Sequence, residues 1–347
     1  MKLATAARVV AAGLAMAVAM SSAMAQPQSR AARTPKPPAA AAGGVDADSL
    51  FTAIVKVTAH AVPGARSSAT LGTEREGTGV VIGENGLILT IGYLIVEADD
   101  VSVVDRKGRT LAARIVGYDH ATGFGLVRTI APLDAKPVAL GESAKVTARD
   151  PVMIASSGDD TISFAYVVSK RGFSGNWEYA LEEALYTSPP TMSWSGAGLF
   201  DRNGKLLGVG SLIVREANDD EPRIPGNMFV PIDLLKPILD DLVASGRRKG
   251  AARPWLGLAA DEVSGRLVVA RVSPDGPADR AGIAPGDIIL AVGTDGVRTQ
   301  ADFYRKVWAR GGAGESIPLK LLQGVDVKEV PVVSIDRTDY FKRPTTY

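Results

Sequence analysis

The chain has 347 residues, 39 basic and 38 acidic side chains and a formal charge of +1. At about 150 residues per domain this length suggests about two domains, and a charge so near zero supplies no long-range field for nucleic acid or an anionic membrane. There is no cysteine and there are only two histidines, His60 and His120. Disulfides, cysteine-ligated metals and cysteine nucleophiles are therefore excluded, no metal or cofactor is expected, and any imidazole chemistry falls to those two side chains.

Lys2 and Arg8 flank the start of an apolar run, Val9 to Met20, followed by Ser21-Ser22-Ala23-Met24-Ala25. A short basic region, about a dozen apolar residues and an Ala-x-Ala end read as a secretory signal peptide over 1–25, too short to span a bilayer. Export to a bacterial periplasm is the expected location. Residues 26–46 are rich in Ala, Pro, Arg and Gly and carry almost no bulky apolar side chain, so they read as a disordered tether.

From 47 to 246 the pattern is one of short strands between turn signals. Leu50 to Thr58 begins as a helical turn and runs into a strand. Thr78 to Ile82 and Leu87 to Thr90 flank Glu84-Asn85-Gly86, a hairpin turn because Asn and Gly tolerate positive φ. Strands follow at Val101 to Val104, Thr110 to Val116, Phe124 to Thr129, Pro151 to Ala155, Ala165 to Ser169, Leu199 to Asp201, Lys205 to Val214 and Met228 to Pro231. This density of short strands indicates a β-barrel or sandwich. Leu234, Leu235, Ile238, Leu239 and Leu242 then recur at helical spacing, predicting one helix over Ile232 to Ser245 stopped by Gly246. A basic linker covers 247–253. The acidic pairs Asp99-Asp100, Asp159-Asp160 and Asp219-Asp220 lack the spacing of a calcium loop and read as solvated turns.

Gly77-Thr78-Gly79-Val80-Val81-Ile82 with Asn85-Gly86-Leu87-Ile88-Leu89-Thr90 resembles the opening hairpin of HtrA/Deg serine proteases. Asp105 to Arg109, Ala113 to Asp119 and Met228 to Asp233 continue the likeness in order. The resemblance implies a mainly β chain: a trypsin-like double β-barrel over 47–246, followed by an α+β PDZ domain over 254–336 and a tail over 337–347. It also implies a Ser-His-Asp triad, in which an imidazole takes the serine proton and a carboxylate holds the imidazole.

Two of those three positions differ. Leu89-Thr90-Ile91-Gly92 leads to Tyr93 where the family carries histidine, and Asp119-His120-Ala121-Thr122 leads to Gly123 where it carries aspartate. Ser193-Trp194-Ser195-Gly196-Ala197-Gly198-Leu199 keeps Ser195 at the nucleophile position but places Ser193 where a glycine helps form the oxyanion hole. Tyr93 reads as packing in the space of the lost imidazole. His60 reads as a strand-end polar residue, and His120 as a solvated loop residue near the lost aspartate. With a triad position held by a phenol of pKa near ~10, a general base is missing.

In the second block, Trp255-Leu256-Gly257-Leu258 precedes a strand over Arg266 to Val272 and the run Ser273-Pro274-Asp275-Gly276-Pro277. A short helix over Ala278 to Ala281, Pro285-Gly286-Asp287, a strand to Val292, a helix over Gln300 to Ala309, and strands over Ile317 to Leu322 and Lys328 to Ser334 complete it. The stretch from Ser273 to Asp287 resembles PDZ domains of the HtrA type. A PDZ groove takes a peptide as an added strand and seats its carboxylate on backbone amides. Leu256, Gly257 and Leu258 are the candidate carboxylate loop, and Phe303 and Val307, on the helix with Tyr304 and Trp308, the candidate groove wall. One of the two i, i+4 pairs is expected to face inward and the other outward.

The expected function is that of an exported, non-catalytic pseudoprotease that binds peptides or unfolded protein C-termini in quality control, as a chaperone-like protein or adaptor. A homotrimer or a complex with an active HtrA paralogue is the expected assembly, with Leu50 and Phe51 as candidate contacts. An active serine endopeptidase using Ser195 with an unconventional base, and an envelope scaffold, are the alternatives.

Overall fold

The computed structural model of the chain describes residues 47–158 and 161–343. The signal-peptide and tether readings and the Asp159-Asp160 pair lie outside the described residues.

Helix α1 (Ala47–Ala53) runs directly into strand β1 (Ile54–Ala61), as the sequence predicts. After α2 (Ser68–Leu71) come β2 (Glu74–Gly83), β3 (Leu87–Ile91), β4 (Ala98–Val104), β5 (Thr110–Tyr118) and β6 (Phe124–Thr129). They close into a barrel in the order β1-β2-β3-β6-β5-β4. Val57, Val80, Ile88, Leu89 and Leu126 are buried in its core. The β2–β3 turn needs its glycine: Gly86 sits at φ +72, and a Cβ there would meet Thr129 Oγ1 at 2.3 Å. Leu50 is also buried in this core, so it is not available as the expected contact between subunits. Phe51 lies under the Arg106 guanidinium, 4.9 Å from its ring centre.

The second barrel is built from β7 (Pro151–Ala155), β8 (Ile162–Gly175), β9 (Tyr179–Ser188), β10 (Gly198–Phe200), β11 (Leu206–Val214) and β12 (Gly226–Pro231). Its closed order is β10-β11-β12-β9-β8-β7. Strand β9 was not expected. Its centre, Ala180-Leu181-Glu182-Glu183-Ala184-Leu185, is rich in helix formers, and cross-strand pairing with β8 and β12 overrides that local preference. The predicted single helix over Ile232 to Ser245 is a 3-10 turn, Ile232–Leu234, followed by α3 (Leu239–Ser245). Pro237 explains the break, because it donates no backbone hydrogen bond and disfavours helical geometry at the residue before it. Gly246 ends α3 in the left-handed region, at φ +75.

A six-stranded sheet forms the third part. It comprises β13 (Leu258–Val263), β14 (Arg266–Val272), β15 (Ile288–Val292), β16 (Asp295–Gly296), β17 (Ser316–Gln323) and β18 (Asp326–Val333), in the order β13-β14-β15-β17-β18 with β16 on β15. Helices α4 (Pro277–Arg280) and α5 (Gln300–Trp308) cover it, and α6 (Arg337–Tyr340) follows. Thr299 caps α5 by accepting from the Asp302 amide. Phe303, Tyr304 and Val307 are all buried and Trp308 packs beside them, so the expected split into one inward and one outward pair does not occur.

Candidate functional site

The serine turn sits at the junction of the two barrels. Gly196 takes φ +74, a conformation open to it because a Cβ would fall 2.1 Å from the Thr78 carbonyl. The Thr78 amide of β2 donates to the Ser195 carbonyl at 2.8 Å, and the Gly196 amide donates to the Gly210 carbonyl of β11 at 2.9 Å. One turn is thus held from both barrels.

Tyr93 reaches it from a 3-10 turn, Gly92–Leu94, at the end of β3. Its hydroxyl oxygen lies 3.0 Å from Ser195 Oγ and 3.0 Å from the Ser211 carbonyl. Ser211 lies where the β11–β12 register shifts, and such a bulge re-aims backbone groups. The phenol is the donor to both acceptors, Ser195 Oγ and the Ser211 carbonyl, and its single proton serves one of them at a time. Burial pushes the Tyr93 hydroxyl up to about 12, with the Ser195 and Trp194 side chains pulling the other way. Tyr93 therefore holds its proton throughout the neutral range.

Gly123 is at φ +80, and a Cβ there would lie 3.4 Å from the Tyr179 hydroxyl and 3.7 Å from Ile91. That hydroxyl donates to the Thr122 carbonyl at 2.7 Å. Tyr179 thus packs beside Gly123. Asp119, three residues upstream of Thr122, is buried and holds the loop. It accepts from the Thr122 amide at 2.9 Å and hydroxyl at 2.6 Å, and from Arg248 Nε and Nη2 at 2.7 Å each. The Ser193 amide donates to Thr191 Oγ1 at 3.3 Å, onto its own turn.

Neither histidine is hydrogen-bonded to Ser195. His60 is exposed on β1 and pairs with Glu74. His120 is not the solvated loop residue expected from the sequence. It packs edge-on to Tyr118 with ring centres 4.2 Å apart and stacks on Phe341 at 5.7 Å. Its Nδ1 is buried without a hydrogen-bond partner, and burial, with Arg337 adding to it, pushes the imidazole down to about 3. A base that weak has little pull on a serine proton near neutrality. His120 does line a cavity of about 890 Å³ shared with Tyr93, Trp194, Ser195, Tyr179 and Trp255. The C-terminal segment helps to wall it: Tyr340 packs on Trp255 at 4.6 Å and donates to the Pro274 carbonyl at 3.0 Å.

The second site is the loop before β13. Gly257 is at φ +77, and a Cβ there would press on the Trp255 ring at 3.1 Å. The Leu256 carbonyl accepts from Ala278 at 2.8 Å and the Gly257 carbonyl from Ser273 at 2.7 Å, so the loop presents its amides outward from a fixed frame. Those amides meet Glu178, at the tip of the β8–β9 hairpin. Leu256 donates to Oε2 at 2.9 Å, and Gly257 and Leu258 donate to Oε1 at 2.6 and 3.0 Å. Burial pushes the Glu178 carboxyl up to about 7 against the opposing pull of these amides and of Arg337. Phe303 and Val307 belong to the sheet's own core, whereas the Tyr304 hydroxyl donates to the Gly175 carbonyl at 2.9 Å. Glu178 was missed from the sequence, where a hairpin-tip glutamate looks like any solvated one.

Two closed barrels with a serine turn at their junction, followed by a sheet with a glycine-centred amide loop, define a trypsin-like peptidase domain joined to a PDZ domain. Residues 77–209 match the family model of the trypsin-like peptidase domain, and residues 254–333 match that of the PDZ domain. The chain belongs to the HtrA/Deg serine protease family with a C-terminal PDZ domain. Among curated relatives it is 26% identical over 274 residues to a probable periplasmic serine endoprotease DegP-like of Hahella chejuensis, covering 74% of this chain and 56% of that protein. It is 29% identical over 260 residues to the protein of the same name from Pseudomonas fulva, covering 69% and 52%. The chain therefore spans about half the length of the curated relatives it matches. The fold resembles the crystal structure of the serine endoprotease from Yersinia pestis (TM-score 0.51, 23% identity, 83% of this chain and 96% of that one). It also resembles the HtrA-type protease AlgW with decapeptide (TM-score 0.53, 19% identity, 86% and 98%).

Proposed function

We propose that the chain is an exported, non-catalytic member of its family that captures the C-termini of peptides or unfolded proteins through its PDZ domain. The observation that carries this reading is the Tyr93 phenol, whose oxygen lies 3.0 Å from Ser195 Oγ in the place of the imidazole. Its raised pKa leaves no phenolate to act as base, and Gly123 offers no carboxylate to orient one. The PDZ frame, in contrast, keeps its glycine loop with three convergent amides. The periplasm is the proposed compartment, and an active paralogue or further copies of the chain are the proposed partners in quality control.

Fluorescence anisotropy of labelled peptides against the full mature chain tests the binding half. Peptides ending in an apolar residue with a free carboxylate are expected to bind at least about tenfold tighter than their C-terminal amides, the loss of one charge-assisted seat. Equal binding of acid and amide would contradict the reading.

A further inference from the structure

We propose that Glu178 is a built-in ligand of the PDZ carboxylate loop, an internal stand-in for a peptide C-terminus that an incoming free carboxylate must displace. For the incoming peptide this rests on the reading above; the occupancy by Glu178 does not.

The chemistry of the contact is that of a terminal carboxylate. Both oxygens are used, one taking two amides and the other taking the third, at 2.6 to 3.0 Å. These three consecutive amides are the donors a C-terminal peptide would need. The side chain is 8% exposed, so it leaves no room beside it for a second carboxylate.

The rest of the hairpin tip is fastened across the groove. On the α5 side, the Tyr304 hydroxyl accepts from the Glu178 amide at 3.3 Å and donates to the Gly175 carbonyl at 2.9 Å. On the β13 side, Asn176 Nδ2 donates to Asp261 at 3.2 Å. Arg337 donates to the Trp177 carbonyl at 3.0 Å from α6. Gly175 pairs with Tyr179, so residues 176–178 form a three-residue hairpin loop, and Glu178 at φ 56 takes the left-handed position that ends such a loop. The turn geometry does not require that this residue be buried, and a carboxylate without these donors would not be taken out of water.

The test compares the full mature chain with Glu178→Gln and Glu178→Ala in two measurements. Hydrogen–deuterium exchange of the Leu256, Gly257 and Leu258 amides needs no ligand. In Glu178→Ala it is expected to accelerate at least about tenfold while strands of both barrels exchange as in the parent chain. Glu178→Gln, which keeps shape and loses charge, is expected to fall between. Unchanged exchange at these amides in both variants would overturn the occupancy. The second measurement is anisotropy with an apolar-ended, free-carboxylate peptide, for which both variants are expected to bind at least about fivefold tighter than the parent chain. Faster exchange with no gain in affinity would overturn the competition, and binding by none of the three chains would overturn the peptide reading while the exchange result still decides the occupancy.

Discussion

Placing a histidine and an aspartate at the two proposed triad positions, with Tyr93→His and Gly123→Asp together, is expected to yield no peptide hydrolysis above that of Ser195→Ala. The histidine alone would have the right neighbours, since Tyr93 already lies 3.0 Å from Ser195 Oγ. The aspartate would not. Residue 123 sits at φ +80, where a side chain costs about 1–2 kcal/mol, and the Tyr179 hydroxyl stands 3.4 Å from its Cβ. An imidazole without an oriented carboxylate loses about 10⁴ in rate. The Ser193 amide, bonded to Thr191, withholds one oxyanion donor, a further loss of about 10²–10³. Adding Tyr179→Phe and Ser193→Gly addresses both defects, so any recovery is expected first in the fourfold variant, read by cleavage of an unfolded protein substrate. Hydrolysis by the double variant that disappears on Ser195→Ala would show that the loop adapts without those changes.

Asp119→Ala is expected to lower stability by about 3 kcal/mol, among the larger single-residue effects in the barrels. The carboxylate is 4% exposed and accepts four hydrogen bonds. Removing it strands the Thr122 amide and hydroxyl and leaves Arg248 uncompensated, and breaking a buried ion pair from one side costs about 3–5 kcal/mol. Arg248 is 34% exposed, so water recovers part of its loss and the lower end applies. The expected fall in melting temperature is about 6–12 °C, measured by thermal unfolding of the mature chain. A loss below about 1 kcal/mol would mean that the 119–123 loop is held by its backbone alone.

The barrels were legible where side-chain pattern and burial agree. Phe124–Thr129, Pro151–Ala155 and Arg266–Val272 form strands with the expected bounds, because β-branched and apolar residues there are flanked by turn formers. Strand β9 was hidden by its Ala, Leu and Glu content, and β13 by its acidic end, Asp261-Glu262. Both are made strands by partners far along the chain. The break before α3 was written in Pro237, but the leucine spacing around it masked the signal.

The sites divide the same way. Tyr93, Gly123, Ser193 and Ser195 stand out in the sequence because each departs from or keeps a local motif, and the structure brings Tyr93 against Ser195. The compensations around them were not: Tyr179, Asp119 with Arg248, and the burial of His120 under Phe341 depend on contacts between distant segments. Glu178 is the extreme case, since its three amide donors lie 78 to 80 residues further on.

The central claim is that Ser195 has no base to activate it. The direct measurement is intact-mass analysis of the mature chain after prolonged exposure to an excess of a fluorophosphonate probe at about pH 8. The Tyr93 hydroxyl, pushed up to about 12, stays protonated there, and His120, pushed down to about 3, is neutral but too weakly basic to assist. The expected result is no adduct beyond that of Ser195→Ala; a stoichiometric adduct that vanishes in Ser195→Ala would contradict the account.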